Sequence, residues 1–280
     1  MISIIYQGNN NTIDLINSPN LTITGYKGLE QPLSETITST NPYLRGSRYQ
    51  RSQIADRNIS FTFAIYDVEN TRQQLMNVFK SGEKGILTLK NDFREGQIEC
   101  YLEELAFGRF ETTTTCTIFL RCPDPYFKGL EDILTELDNI IEMFVLEAYI
   151  PEEGIVLGEI STEGKETIVN NSDIDVGVTI EMIALDQVVN PIFYNETKNQ
   201  FFGVNYTFSE GDKLIITTGT GNKKVYVDKN GVQLNIINKM MRNSSFFQLK
   251  RGNNLLSYEA TSGGESMVVT IKHRTEYGAI

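Results

Sequence analysis

Thr114–Phe127 reads TTCTIFLRCPDPYF. Cys116, Ile118, Leu120 and Cys122 alternate with Thr115, Thr117, Phe119 and Arg121, the two-residue period of a strand with one apolar face. Pro123 and Pro125 then stop it, because proline has no N–H for a ladder and fixes φ. The stretch predicts the closing strand of a first domain and a stiff exit from it. Beyond the exit the chain enters its most acidic part: Leu130–Glu166 holds eleven acids and one base, Lys165, of a total net charge of −11.

Upstream, the segments agree with a β-rich domain. Ile2–Tyr6 and Thr12–Ile16 flank a Gly8–Asn11 turn and predict a hairpin; Leu21–Tyr26 predicts a third strand. Arg57–Tyr66 is the clearest strand, with Ile59, Phe61, Phe63 and Ile65 on one face. Asp67 is placed to cap a helix over Val68–Ser81 with Leu75, Met76 and Phe79 as its apolar stripe and Gly82 as its exit. Ile86–Leu89, Gln97–Phe107 and Thr112–Arg121 complete one helix on a largely antiparallel sheet. Between them, Lys27–Arg51 has no clear period, and a segment this long predicts an extended arm or long hairpin carrying Tyr43, Arg45, Arg48 and Tyr49.

Downstream, Leu130, Ile133, Leu134, Leu137, Ile141, Phe144, Val145 and Ala148 recur at three- and four-residue steps and predict an amphipathic helix over Leu130–Tyr149. Two readings stay open for it: a helix that docks a partner, or a connector packed on its own domains with a solvated acidic face. From Gly154 to Ile280, short strands are expected at Thr167–Val169, Val176–Ala184, Pro191–Asn195, Gln200–Tyr206, Lys213–Thr218, Lys223–Val227 and Val268–His273. Turns at Gly211-Asp212, Gly219–Asn222, Asn230-Gly231, Gly252-Asn253 and Gly263-Gly264 separate them, the spacing of a β-sandwich.

Composition narrows the chemistry. A chain of 280 residues with 40% apolar content is expected to hold two cored domains. Met1–Asn10 has no basic start and no long apolar run, so no signal peptide is expected, and no stretch approaches a membrane span of roughly 20 apolar residues. The acidic balance disfavours binding of nucleic-acid phosphates by net charge. Cys100, Cys116 and Cys122 fall on apolar strand faces and read as buried free thiols without a C-x-x-C pair. No metal site or cofactor is expected. A Ser-His-Asp arrangement would have to use His273, the one histidine, which reads as a surface residue at a strand end. Glu103 and Glu104 are adjacent on a strand and point to opposite faces, unlike a glycosidase pair. No catalytic residue is therefore assigned. Gly219–Lys224 lacks the spacing of a phosphate loop and reads as a hairpin.

Asp56–Phe63 (DRNISFTF), Gly82–Leu89 (GEKGILTL) and the late strand ending RCPDPYF together resemble the distal tail protein (Dit) family of long-tailed phages. In the second half, Asn190–Asn195 (NPIFYN), Gly211–Thr218 (GDKLIITT), Asn230-Gly231 and Leu249–Asn254 (LKRGNN) are similar to the galectin-like sandwich of such proteins. The resemblance implies a mainly β (β-rich α+β) chain: an N-terminal antiparallel β domain with one packed helix over residues 1–129 and a C-terminal galectin-like β-sandwich over 154–280; the acidic helical connector over 130–153 is read from its apolar period and has no counterpart in the resemblance. It implies a structural virion component of the tail tip or baseplate, assembled in the host cytoplasm. The partners it implies are five further copies in a homohexameric ring, the tail tube protein, the tail-tip hub protein and a receptor-binding protein. DNA would pass through the lumen without specific binding, and no membrane is involved. Tyr43, Arg45, Arg48 and Tyr49 are the expected contacts to a neighbouring subunit or the tube, since Tyr and Arg are common interface anchors. The competing reading is a carbohydrate-binding module for host adhesion, with Tyr194, Phe201, Phe202, Tyr206, Phe246 and Phe247 as available aromatics.

Overall fold

A computed structural model describes residues 2–9, 11–41, 43, 45–108, 114–137, 140–142, 158–160 and 164–280. The chain divides into two compact units: Met1–Leu130 together with Glu276–Ile280, and Glu131–Thr275. Nearly all regular structure is strand, as the alternating patterns require.

The first unit contains β1 (Ser3–Gln7), β2 (Thr12–Asp14), β3 (Leu21–Lys27), β4 (Ser34–Thr40), β5 (Ser47–Ile54), β6 (Arg57–Ile65), α1 (Val68–Val78), β7 (Lys84–Lys90), β8 (Glu95–Phe107), β9 (Thr114–Cys122) and β10 (Phe127–Lys128). Its main sheet runs β2-β1-β7-β8-β9-β6-β3, antiparallel throughout. β9 is the fifth of the seven strands on that path, flanked by β8 and β6, and pairs with β6 from Arg57↔Cys122 to Ile65↔Thr114. Thr114, Cys116, Ile118, Leu120 and Cys122 are buried on one face, opposite Ile59, Phe61, Phe63 and Ile65. The alternation read from the sequence is thus the register of this strand pair. All three cysteines are free and buried.

Helix α1 is shorter than expected and differently ended. Phe79 leaves the helix in an extended conformation (φ −96°, ψ 102°) while its N–H still bonds the Leu75 carbonyl at 2.8 Å. Its ring is thereby buried and stacks on Tyr6, centroids 4.1 Å apart. Asp67 stands at the N-cap but makes no side-chain cap bond; its carboxylate accepts from the Asn70 amide at 2.9 Å instead. Tyr6 also has its place because a side chain is missing at Gly85. A Cβ at Gly85 would lie 2.2 Å from the Tyr6 hydroxyl oxygen. Tyr6 is buried and stacked on Phe79, so it must shift within a packed site, and Gly85→Ala should cost about 1–3 kcal/mol in urea unfolding. Adding Tyr6→Phe, which deletes the nearest atom, should recover part of that loss.

The second unit holds β11 (Ile133–Leu137), β12 (Ile140–Glu142), β13 (Gly158–Ile160), β14 (Gly164–Asn170), β15 (Val176–Ala184), β16 (Val188–Asn195), β17 (Gln200–Gly203), β18 (Thr207–Phe208), β19 (Lys213–Gly219), β20 (Asn222–Lys229), β21 (Val232–Asn235), β22 (Gln248–Leu249), β23 (Gly252–Ser262) and β24 (Met267–His273). One sheet runs β11-β24-β15-β19-β20-β21, the other β14-β23-β16-β17. Their inner faces share one core, with Ile180, Met182, Ile216, Val225 and Ile271 from the first sheet and Phe193, Phe202, Leu256 and Tyr258 from the second. This is a β-sandwich.

Two readings of the sequence are corrected here. Leu130–Tyr149 is not a helix over its described part: Ile133–Leu137 is an edge strand, registered from Ile133↔His273 to Leu137↔Val269, and Ile140–Glu142 pairs with Gly158–Ile160. Five residues cannot distinguish a helical from an extended period, and the free edge of β24 satisfies backbone groups that a helix would satisfy internally. Residues 143–149 and the rest of the acidic connector to residue 157 lie outside the described residues. The other correction is β23, the longest strand of the unit, central in its sheet between β14 and β16. Its pattern, with Leu255 exposed and Leu256, Ser257 and Tyr258 all buried, carries no clean alternation to read.

Candidate assembly surface

β4 and β5 form a two-stranded sheet of their own, registered from Ser34↔Ile54 to Thr40↔Ser47 with a bulge between Ile37 and Thr38. No residue of β5 is buried. Leu33, Tyr43, Tyr49 and Ile54 are exposed, Tyr43 to 94% at the tip. A two-stranded hairpin without a core is marginal alone in water, and this one exposes apolar area at base, middle and tip. Such surface is characteristic of contact sites. Arg45, Arg48 and Arg51 stand against the one acid Glu35, a basic arm on an acidic chain, and none of the three makes an ion pair among the described residues.

The four residues singled out from the sequence all fall on this arm. Tyr43 and Arg45 occupy the tip; Arg48 lies opposite Ser39 and Tyr49 opposite Thr38. Neighbours in a strand project to opposite faces, so Arg48 and Tyr49 present different faces. The Tyr49 hydroxyl bonds Ser52 Oγ at 3.2 Å. The arm therefore offers a tyrosine on one face, an arginine on the other and one of each at its end.

The hairpin is joined to a cluster that sequence reasoning missed. Arg57, at the start of β6, is 3% exposed and makes no ion pair among the described residues; its hydrogen bonds go to backbone carbonyls. Its guanidinium donates Nε to the Pro125 carbonyl at 2.6 Å, Nη1 to those of Gly28 and Glu30 at 2.7 Å each, and Nη2 to that of Gly278 at 2.6 Å. It also lies 4.7 Å above the Phe127 ring. The strand Glu276–Tyr277 pairs with β10, Arg94 covers the Tyr277 ring at 4.7 Å, and Arg94 Nη1 reaches the Ala279 carbonyl at 3.1 Å. The root of the arm, the proline exit and residues 276–280 are thus fastened at one buried cation. The RCPDPYF signal marked the exit, but nothing in the sequence marked its partner.

His273 and Glu103, weighed for catalysis from the sequence, are in structural use, as are two further acids, Glu196 and Glu259. His273 is not on the surface: it lies on the inner face of β24 with Met267, Val269 and Ile271, 3% exposed, and neither ring nitrogen has a hydrogen-bond partner among the described residues. Burial lowers its pKa from 6.5; the Val169 backbone and the Asp132 charge act weakly the other way. The unfolded chain then binds a proton below about pH 6.5 that the folded chain refuses. Stability present above pH 6.5 is lost as pH falls from there toward the folded pKa, by at most about 1.4 kcal/mol per pH unit. A urea midpoint for the second unit that drops between pH 7.5 and 5, with a shallower drop in His273→Met, is the expected result. Glu103 sits at a bulge in β8 and bonds Arg121 at 3.0 Å. Glu196 accepts from Ser257 at 2.7 Å, a bond that with Lys165 lowers its pKa, and Glu259 accepts from the Tyr194 hydroxyl. Among the described residues, no three metal-ligating side chains cluster, and no helix is long and apolar enough to cross a membrane.

Residues 171–277 match the family described as the siphovirus-type tail component, C-terminal domain. A search of curated proteins finds no match. Among solved structures, the fold is similar to Dit (gp 19.1) of phage SPP1 over 99% of both chains, with 13% identity and a TM-score of 0.71. That protein is described as a paradigm of hub adsorption apparatus in phages infecting Gram-positive bacteria. The chain is also similar over its full length to chains of the phage P2 baseplate in its activated conformation with calcium and with strontium, at 10% identity and TM-scores of 0.51 and 0.52. The chain has the Dit fold, and its second unit carries the sequence signature of the tail-component family.

Proposed function

We propose that this protein is a structural component of a phage tail tip or baseplate and has no catalytic role. The observation that carries the reading is the end-to-end agreement with SPP1 Dit, which extends through both units at an identity too low for sequence alone. The family match over 171–277 supports it independently. In this reading the chain closes into a homohexameric ring that joins the tail tube to the hub, with the second unit available to receptor-binding components, and DNA crosses the lumen without being held. The β4–β5 arm supplies contacts to a neighbouring subunit or to the tube. It is exposed on both faces, basic within an acidic protein and without a core of its own, as a part folded for a partner would be.

The test is the mass of the purified protein in solution, by light scattering coupled to size exclusion over a concentration series. A species at six times the 31.7 kDa chain supports the ring. A strict monomer that stays monomeric when mixed with tail tube and hub proteins overturns it.

A further inference from the structure

The sandwich of the second unit is not sealed by apolar residues at one end. Along β20 the inward positions are Val225 and Val227, both fully buried, and the next inward position toward the turn is Lys223. Its ammonium lies 5.6 Å from the Phe246 ring centroid, and among the described residues no carboxylate pairs with it. Here a cleft of about 700 Å³ opens between the β19–β20 turn and the start of β17. That volume is within the about 300–1,000 Å³ usual for small-ligand sites.

Its walls carry hydrogen-bonding groups. Thr220, Lys198, Gln200 and Gln248 line it, the Gln248 amide donating to Thr220 Oγ1 at 3.1 Å. The walls are held rigidly. Asn195, fully buried, accepts from the Lys198 N–H at 3.1 Å and donates to the Gln248 carbonyl at 3.3 Å, tying the two together. Gln248 is registered with Gly177 of β15, where a Cβ would come within 2.4 Å of Gly219; the absent side chain lets the turn close down. Lys198 is neutralised by Asp175 at 2.5 Å, so Lys223 supplies the uncompensated charge.

We propose that this cleft binds an anionic saccharide or polyol unit, one that presents a phosphate or carboxylate to Lys223 and hydroxyls to Gln200, Gln248 and Thr220. One cation beside several neutral donors and acceptors fits one negative charge in a polyhydroxylated ligand. A neutral sugar would leave the ammonium unused, and it would lack an aromatic platform, because Phe246 packs on Phe202 at 4.8 Å and meets Lys223. Among the described residues, no carboxylate lines the cleft.

The test titrates the full chain calorimetrically with oligo(glycerol phosphate), with an oligoglucuronate and with a neutral glucose oligomer of equal length. Binding of at least one anionic oligomer is expected, weakening as salt rises. Lys223→Glu should weaken it at least tenfold. Lys224→Glu makes the same change in net charge on the opposite face of β20 and should alter it less than twofold. Gln200→Glu, on the exposed rim, gives a second loss should Lys223→Glu melt abnormally. Equal weakening by the two lysine variants, equal affinity for the neutral oligomer, or no binding of either anionic oligomer would overturn the assignment. The nature of the anionic probe bound separates phosphate from carboxylate recognition.

Discussion

Arg57→Ala should lower the stability of the first unit by about 3–5 kcal/mol, the scale for losing one partner of a buried charged network. Four carbonyls, of Gly28, Glu30, Pro125 and Gly278, lose their donor together, and the Phe127 ring loses its cation. A lysine cannot restore the arrangement, since an ammonium lacks the planar fork that reaches acceptors on several segments at once. Deleting residues 276–280 should cost less, because it removes the Gly278 acceptor without stranding the other three. The two changes share a network, so the double variant should cost less than the sum. Urea unfolding followed by a probe in the first unit measures all three. Additive losses would mean that Arg57 does not bind residues 276–280 to the rest.

On the proposed ring, replacing Tyr43, Arg45, Arg48 and Tyr49 together by alanine should abolish assembly while leaving the folded monomer within about 0.5 kcal/mol of the parent, because surface changes away from a core have small effects on stability. The four residues occupy the tip and both faces of an arm that adds nothing to either core. At interfaces, by contrast, truncating a tyrosine or arginine anchor commonly costs about 2 kcal/mol or more. Sizing by light scattering and thermal melting separate the effects: loss of the large species with an unchanged melt is the expected pair. An intact ring would remove the arm from the interface, and a collapsed melt would make it part of the fold.

The main sheet of the first unit was legible because its strands are buried on one face. Ile59, Phe61, Phe63 and Ile65 on β6 and the Cys-Ile-Leu-Cys series on β9 impose a period of two that nothing else explains. The arm was legible only by default, as a long stretch with no core pattern, and its tyrosines and arginines by residue type. Where burial departs from a regular period, reading failed. Ile133–Leu137 buries Leu137 and leaves Leu134 61% exposed, so its apolar residues follow no strand pattern. β23 buries three residues in succession because Ser257 bonds Glu196 on the face opposite the core. His273 is inside because β11 covers its edge of the sheet, a pairing 140 positions away from it. Glu276–Tyr277 is two residues long and has no period at all; only tertiary contact defines it. The Lys223 cleft was equally hidden, since a lysine at an inward position is visible as such only once the facing sheet is known.

The attachment of residues 276–280 to the first unit also sets an order in time. At ribosomal rates of about 5–20 residues per second, the 145 residues of Glu131–Thr275 take roughly 7–30 s to emerge. For that interval Arg57 has three of its four carbonyls, and Phe127 and Lys128 lack their neighbouring strand. The first unit to be made is thus the last to be finished.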